Sequence, residues 1–159
     1  MIYLAEFSNN NQQLVNAGEA VVFSNNPVPC ERGFVRHRDE TGNFLLSGWI
    51  PNGNCRCCCR RNNSALYLVD FSANIAVPTG GTVEAISLAV TIDGAVIPSS
   101  QMVVTPAAVE EFFNVSVAIN AQIWKGCCET VAIQNTSTQP ILVQSANIIF
   151  SRPDLAVSR

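Results

Sequence analysis

Short apolar runs with a two-residue period, each cut off by turn-forming residues, dominate this chain and constrain it to a β-sheet fold. The clearest unit is Asp93-Gly94, which joins the run at 83–92 to Ala95-Val96-Ile97. A tight hairpin turn needs positive φ at its central residues, and Asp-Gly meets that need. Residues 33–38 and 42–49 read as a second pair of short strands around a turn at Asp39-Glu40-Thr41-Gly42. Leu66, Leu68 and Asp70 alternate with Tyr67, Val69 and Phe71, which predicts a long strand with both faces largely covered. Val115, Val117, Ile119 and Ile123 mark a further strand that ends at a Lys125-Gly126 turn. Residues 130–134 and 141–151 complete the sheet on either side of Asn135-Thr136-Ser137-Thr138. Residues 15–23 end in an alternating run that Pro27 and Pro29 break. Residues 107–113, after Pro106, are the one helical candidate, and they are too few for an independent helix. Many short strands with regular turns predict an all-β sandwich or jelly roll of about ten strands.

At 159 residues, one domain can bury a sufficient core. Only 13% of residues are charged, the net charge is −3, and mean hydropathy is +0.21. Asn, Gln, Ser and Thr supply much of the polar surface instead. This balance argues against nucleic-acid and membrane-surface partners. It suits an assembled structural protein whose apolar surface is covered by neighbouring subunits. No run is long and apolar enough to span a bilayer. Met1 to Phe7 has no basic residue ahead of its apolar stretch, and Ser8-Asn9-Asn10-Asn11-Gln12-Gln13 follows at once, so it does not read as a signal peptide.

The cysteines are the chemically distinctive feature. Cys55, Cys57, Cys58 and Cys59 crowd into one stretch with Arg56, Arg60 and Arg61. Cys127-Cys128 and Cys30 bring the total to seven, an odd number that cannot be paired off within one chain. Adjacent cysteines rarely bridge each other, because the bond geometry demands a separation that neighbours seldom reach. The run therefore needs outside partners. Cys127 and Cys128 are the natural ones if the Lys125-Gly126 turn shares an end of the sandwich with residues 52–63. On a regular strand those two would point to opposite faces. A metal site is the second chemistry. Structural zinc favours Cys-x2-Cys spacing, which this run lacks, whereas Cys-x-Cys and Cys-Cys runs occur in metallothionein-like clusters. The metal question stays open, and no other cofactor is expected. Cys30 reads as a small buried residue. A thiol-rich chain without an export signal either stays reduced or meets oxidant on lysis of the producing cell, as virion and spore-coat proteins do.

The order of landmarks resembles a known family. Gly42-Asn43-Phe44 is followed by the aromatic strand at 65–75, by Gly81-Thr82-Val83, and by Ile92-Asp93-Gly94 with Pro98-Ser99-Ser100 beyond. Trp124-Lys125-Gly126 then precedes a strand, and Ala146-Asn147-Ile148-Ile149 closes the domain. Over residues 18–152 this is similar to the tumour-necrosis-factor-like and complement-C1q-like jelly rolls of bacteria, spores and phages. The resemblance implies a jelly roll at 18–152, an N-terminal extension or first strand at 1–17, and a C-terminal tail at 153–159. It also implies a homotrimer with the last strand near the three-fold axis, for which Tyr67, Phe71, Ile141, Val143, Ile148 and Phe150 are interface candidates. Members serve as structural or binding parts, not catalysts. The expected partners are further copies of the chain, other capsid, fibre or spore-coat proteins, and a host glycan, on the outer surface of a particle. The cysteines are not a hallmark of the family, so an intersubunit disulfide is a matter of chemistry alone.

The remaining polar residues carry weaker signals. His37 is the sole histidine, set between Arg36 and Arg38, and no hydrolase motif accompanies it. Glu110-Glu111 reads as a solvated turn, because neighbours on a helix do not face one point. Asp70, inside an apolar strand, needs a cationic partner if it is buried, for which Arg36, Arg38 and Arg60 are candidates, within the chain or across a subunit boundary. Trp49 and Trp124 read as core or intersubunit residues.

Overall fold

The computed structural model describes residues 3–30, 33–38, 40–50 and 64–155, with Cys127 described for its backbone. Two antiparallel sheets stack face to face. The first contains β1 (Leu4–Asn9), β2 (Gln13–Val15), β3 (Asn25–Val28), β6 (Ser64–Ala76), β10 (Phe113–Trp124) and β12 (Ile141–Ser151), in the order β10-β6-β12-β1-β3, with β2 also on β12. The second contains β4 (Val35–His37), β5 (Phe44–Gly48), β7 (Ile86–Ile92), β8 (Ala95–Val96), β9 (Met102–Val104) and β11 (Gly126–Asn135), in the order β4-β5-β11-β7-β8, with β9 also on β7. Strands distant in sequence, such as β1 and β12, lie side by side. This is the jelly-roll sandwich that the strand pattern predicts.

The alternation in β6 shows how the sequence sets the layers. Ala65, Tyr67, Val69, Phe71, Ala73 and Ile75 are buried between the sheets, and Leu66, Leu68 and Asp70 face outward. The outward side is exposed in this chain, so the expectation of two covered faces fails for a single subunit. Phe44 is the hub of the core. Its ring lies 4.9 Å from Phe7, 5.2 Å from Phe23 and 4.9 Å from Phe150, and His37 stacks on it at 4.5 Å. The three phenylalanine pairs, tilted or edge-on, each contribute roughly 0.5–1.5 kcal/mol beyond their burial.

Three local expectations are corrected. Residues 107–113 form no helix: Glu110 has φ of 56°, and Phe113 already opens β10. Residues 20–23 keep the expected alternation, with Val21 and Phe23 buried and Ala20 and Val22 half-buried, but 15–23 is no continuous strand, since β2 ends at Val15 and only isolated bridges follow, at Ala20 and Phe23. Pro27 does not end a strand but sits within β3, an edge strand, where its missing N–H costs no ladder bond. The Asp93-Gly94 hairpin forms as expected, with φ of 50° and 82°.

Among the described glycines, Gly48 lies closest to another stretch of backbone. A Cβ there would overlap the carbonyl oxygen of Trp124, where the end of β5 crosses the β10–β11 turn. Gly48→Ala must push two strands apart, so an overpacking loss of about 1–3 kcal/mol is expected. A urea titration checks this, with a lower midpoint at unchanged slope as the expected outcome.

Candidate functional site

Two features of the sandwich have functional content: the outer face of the first sheet, and the sandwich end beside the cysteine-rich segment. The outer face is nearly free of charge. The six strands of this sheet carry only Glu6 and Asp70 as ionisable charges, both acidic. Register lines up the outward residues in rows: Leu4, Ser151, Leu68 and Asn120 in one, and Glu6, Ile149, Asp70 and Ala118 in the next. Leu66 and Leu68 are 37% and 36% exposed, and Leu14 is 57% exposed over its β12 partner Leu142, which is itself buried. Glu6 accepts a bond from the Asn147 amide at 2.6 Å.

The edge of this sheet at β10 is also unguarded. β10 keeps an unbroken register with β6 over its whole length and contains no charge and no proline. Lysines, prolines, bulges and short strands are the usual defences of an open edge. The opposite edge has them, in Pro27 and the irregular β1–β3 register. The second sheet ends in the short strands β4 and β8.

At one end of the sandwich, Arg152 and Asp154 form a buried ion pair. Arg152 Nε donates to Asp154 Oδ1 at 2.8 Å, and Nη2 donates to Oδ2 at 2.7 Å. The Arg152 side chain is 0% exposed and that of Asp154 is 20% exposed. Arg152 also donates to the Trp49 carbonyl at 3.1 Å, and its guanidinium sits 4.8 Å from the Tyr67 ring centre. Asp154 Oδ2 accepts from the Leu66 N–H at 3.1 Å. The Tyr67 hydroxyl donates to the Ser47 carbonyl at 2.6 Å, with the Phe34 carbonyl at 3.1 Å. One ion pair therefore clamps both stems of the 50–63 connection, through Trp49 before it and Leu66 after it. The 3-10 turn Pro153–Leu155 supplies Asp154 and buries Leu155.

Burial pushes the Tyr67 phenol up to about 12, against the opposing pull of Arg152. Burial also lowers the Arg152 guanidinium, but the bonds and charge of Asp154 and Tyr67 more than reverse it. For Asp154, burial raises the carboxyl, yet the Arg152 and Leu66 bonds and the Arg152 charge outweigh it and leave it below the usual carboxylate range.

The sequence-predicted sites fare unevenly. Tyr67, Phe71, Ile141, Val143, Ile148 and Phe150 are all 0% exposed within one chain. They fill the core, and the surface open to a neighbour belongs to the alternate residues of the same strands. Asp70, Arg36 and Arg38 form no buried ion pair. All three are exposed, Asp70 on the first sheet and Arg36 on the second. Sequence reasoning missed the buried pair that does form, because Arg152 and Asp154 lie where a tail was expected. Pro153 between them, setting a tight turn after a strand, is the signal that points there. His37 packs on Phe44 and bonds the Thr41 carbonyl at 2.9 Å, a structural role.

Cys55, Cys57, Cys58 and Cys59 lie outside the described residues. Gly126 pairs with Gly48, and Trp124 pairs with Ser64, so the Lys125-Gly126 turn does lie at the same end as both stems of their segment. The β11–β5 register slips between Gly126 and Glu129, so a bulge at Cys127-Cys128 replaces simple alternation. Cys128 is half-buried. Cys30, also half-buried, packs on the core and accepts the Val35 N–H at 3.5 Å. Trp49 and Trp124 are 52% and 61% exposed, so neither fills the core of one chain.

No protein-family model and no curated protein matches the chain. Solved structures do. The globular domain of zebrafish complement 1qA protein aligns over 92% of each chain at 13% identity, with a TM-score of 0.57. Eiger TNF from S. frugiperda aligns over 99% of this chain and 95% of that one at 11% identity, with a TM-score of 0.64. Murine APRIL aligns over 96% and 99% at 8% identity, also with a TM-score of 0.64. The chain has a jelly roll of the C1q and TNF type. At these identities the likeness fixes the fold and leaves function to the surface.

The clamp has a pH signature. Because the folded Asp154 carboxyl lies below its unfolded value, its stabilisation is present above about pH 4 and is lost as pH falls through the folded value. Tyr67 acts at the other end: its folded value exceeds the unfolded one, so stability falls between about pH 10 and 12. Asp154→Ala leaves Arg152 buried and unpaired, a cost of roughly 3–5 kcal/mol. Denaturant titrations of wild type, Asp154→Ala and Tyr67→Phe from pH 3 to 11 check all three expectations. The acid slope should shrink in the first variant and the alkaline slope in the second.

Proposed function

We propose that this chain is a non-catalytic structural and adhesive protein that assembles as a homotrimer on the exterior of a virion or spore. The observation that carries the reading is the first sheet, whose outer face is almost uncharged and whose β10 edge is unguarded. A charge-poor face with exposed leucines is characteristic of surface that another subunit covers. The C1q and TNF type of fold supports the same reading. Covalent locking by disulfides among Cys55, Cys57, Cys58, Cys59, Cys127 and Cys128 is part of the proposal. The placement of Cys127-Cys128 beside both stems of the cysteine-rich segment supports it. Such bonds would convert a dissociable trimer into one that survives dilution and denaturant.

A second reading, a glycan- or receptor-binding head, is favoured by Trp49 and Trp124. Indoles exposed to this degree suit a contact surface more than a solvated one. A thiol cluster holding metal is the third reading, and the same experiment separates it.

Native mass spectrometry with and without reductant tests the assembly. A trimer whose chains stay joined in denaturant until reduced is the expected result. A trimer carrying the added mass of zinc or iron moves the thiols to metal binding, and a metal-free monomer sinks the assembly. Leu68→Arg supplies the second test. It places a charge on an exposed position, so the fold should hold by circular dichroism. Burying that charge between subunits should weaken self-association at least about 100-fold. A variant that stays fully trimeric at nanomolar concentration removes this face from the interface.

A further inference from the structure

The outer face of the second sheet differs from that of the first in having a hollow. Val131 and Ile133 of β11 point into the core, so Thr130, Ala132 and Gln134 point outward. Thr91 of β7 pairs with Ala132, and these two small residues form the floor, 4% and 7% exposed. Gly18 and Ala20 form one wall, held to β11 by the bridge between Ala20 and Gln134 and by the Gly18 N–H on the Asn135 carbonyl at 2.9 Å. Gly94 of the β7–β8 hairpin and Asn43 complete a groove of about 210 Å³.

Its lining is polar, neutral and under-used. Among the described residues, the Thr130 hydroxyl and the Asn43 amide make no hydrogen bond to protein. Gln134 donates through Nε2 to the Gly18 carbonyl at 3.2 Å, leaving its carbonyl oxygen unengaged. The Thr91 hydroxyl donates to the Ala132 carbonyl at 3.3 Å and keeps its acceptor capacity. No lining residue is ionisable and none is aromatic. A phosphate or carboxylate would find no cation, a divalent cation no carboxylate, and a nucleobase no ring to stack on. The volume holds about seven waters and falls below the roughly 300–1,000 Å³ typical of larger ligands. What fits is one compact ring bearing several hydroxyls, able to donate to amide oxygens and accept from amide and hydroxyl hydrogens.

We propose that this groove binds the terminal neutral sugar of a glycan. The site gives the adhesive part of the reading above a location and a ligand class, and it rests on that part alone. It lies on the sheet opposite the face assigned to assembly, so a trimer would display three copies outward. A few hydrogen bonds without stacking give a single-site affinity of about 1 mM, and multivalent display raises it on a surface.

The test is two-dimensional NMR titration of the full chain with D-glucose, D-galactose, D-mannose and N-acetyl-D-glucosamine, with D-glucuronate and glucose 6-phosphate as charged probes. At least one neutral sugar is expected to shift Thr91, Thr130, Ala132 and Gln134 resonances with a Kd near about 1 mM. Ala132→Leu, which fills the floor, should weaken binding at least tenfold. Thr130→Ala, which removes one hydroxyl that bonds to no protein group among the described residues and lies outside the core, should weaken it about threefold. No neutral sugar binding below about 50 mM, tighter binding of the charged probes, or undiminished binding by both variants overturns the site. Beads bearing the sugar that binds then separate sources. Retention supports a glycan end, and binding of the free sugar without retention overturns that assignment. Native mass spectrometry of the same sample reports assembly separately: a trimer that ignores sugars sinks the groove alone, and a monomer that binds them sinks the trimer alone.

Discussion

The stacking of aromatic side chains around Phe44 is the interaction on which the rest of the molecule depends. Phe7 and Phe150 from the first sheet, Phe23 from the connecting segment, and His37 beside it on the second sheet all meet that ring. His37 reaches Phe44 through the local β4–β5 pairing, but Phe7, Phe23 and Phe150 come from distant parts of the sequence, so the cluster closes only when the jelly-roll topology brings them together. It also fixes which side of every strand faces inward. Once Phe44, Leu46, Phe71 and Phe150 are in the core, the neighbouring residues on those strands must face solvent or another subunit.

A second constraint acts at one end of the sandwich. Burying Arg152 is costly unless its charge is met, and Asp154 meets it with two bonds while Tyr67 offers its ring. The same pair holds the Trp49 carbonyl and the Leu66 N–H, so the desolvated cation becomes a clamp on the stems of the cysteine-rich connection. The exit of β12, the end of β5 and the start of β6 are thereby held in one place. Thiol chemistry at that end starts from anchored stems, and Cys127-Cys128 sit in a bulge on the adjacent strand.

The two outer faces have different chemistry for a simple reason of side-chain choice. The first sheet places leucine, isoleucine, serine and asparagine outward with almost no charge, which suits broad contact with another protein surface. The second places Thr91 and Ala132 at its centre, and small residues there hollow out a dish that no neighbouring side chain fills. The sandwich thus presents a charge-poor face on one side and a hydroxyl-lined hollow on the other.

The fold class was readable in the sequence because period-two alternation and turn chemistry are local. The alternation of 65–75 sets the inward face of β6, and Asp93-Gly94 sets the β7–β8 hairpin, neither of which needs a tertiary contact to specify it. The alternation could not say that Tyr67, Phe71 and Phe150 are spent on the core of one chain rather than on an interface, because both environments select the same apolar residues. Nor could it pair Arg152 with Asp154 in preference to Asp70 with Arg36, since a charge partner depends on which strand ends the topology brings together. The exposure of Trp49 and Trp124 and the hollow over Ala132 are likewise properties of assembled sheets. The sequence by itself determined strands, turns and an all-β class, since backbone φ and side-chain alternation are decided residue by residue. Only the tertiary structure decided which apolar face is core, which charge is buried and where the surface is concave, because those depend on neighbours far apart in the chain.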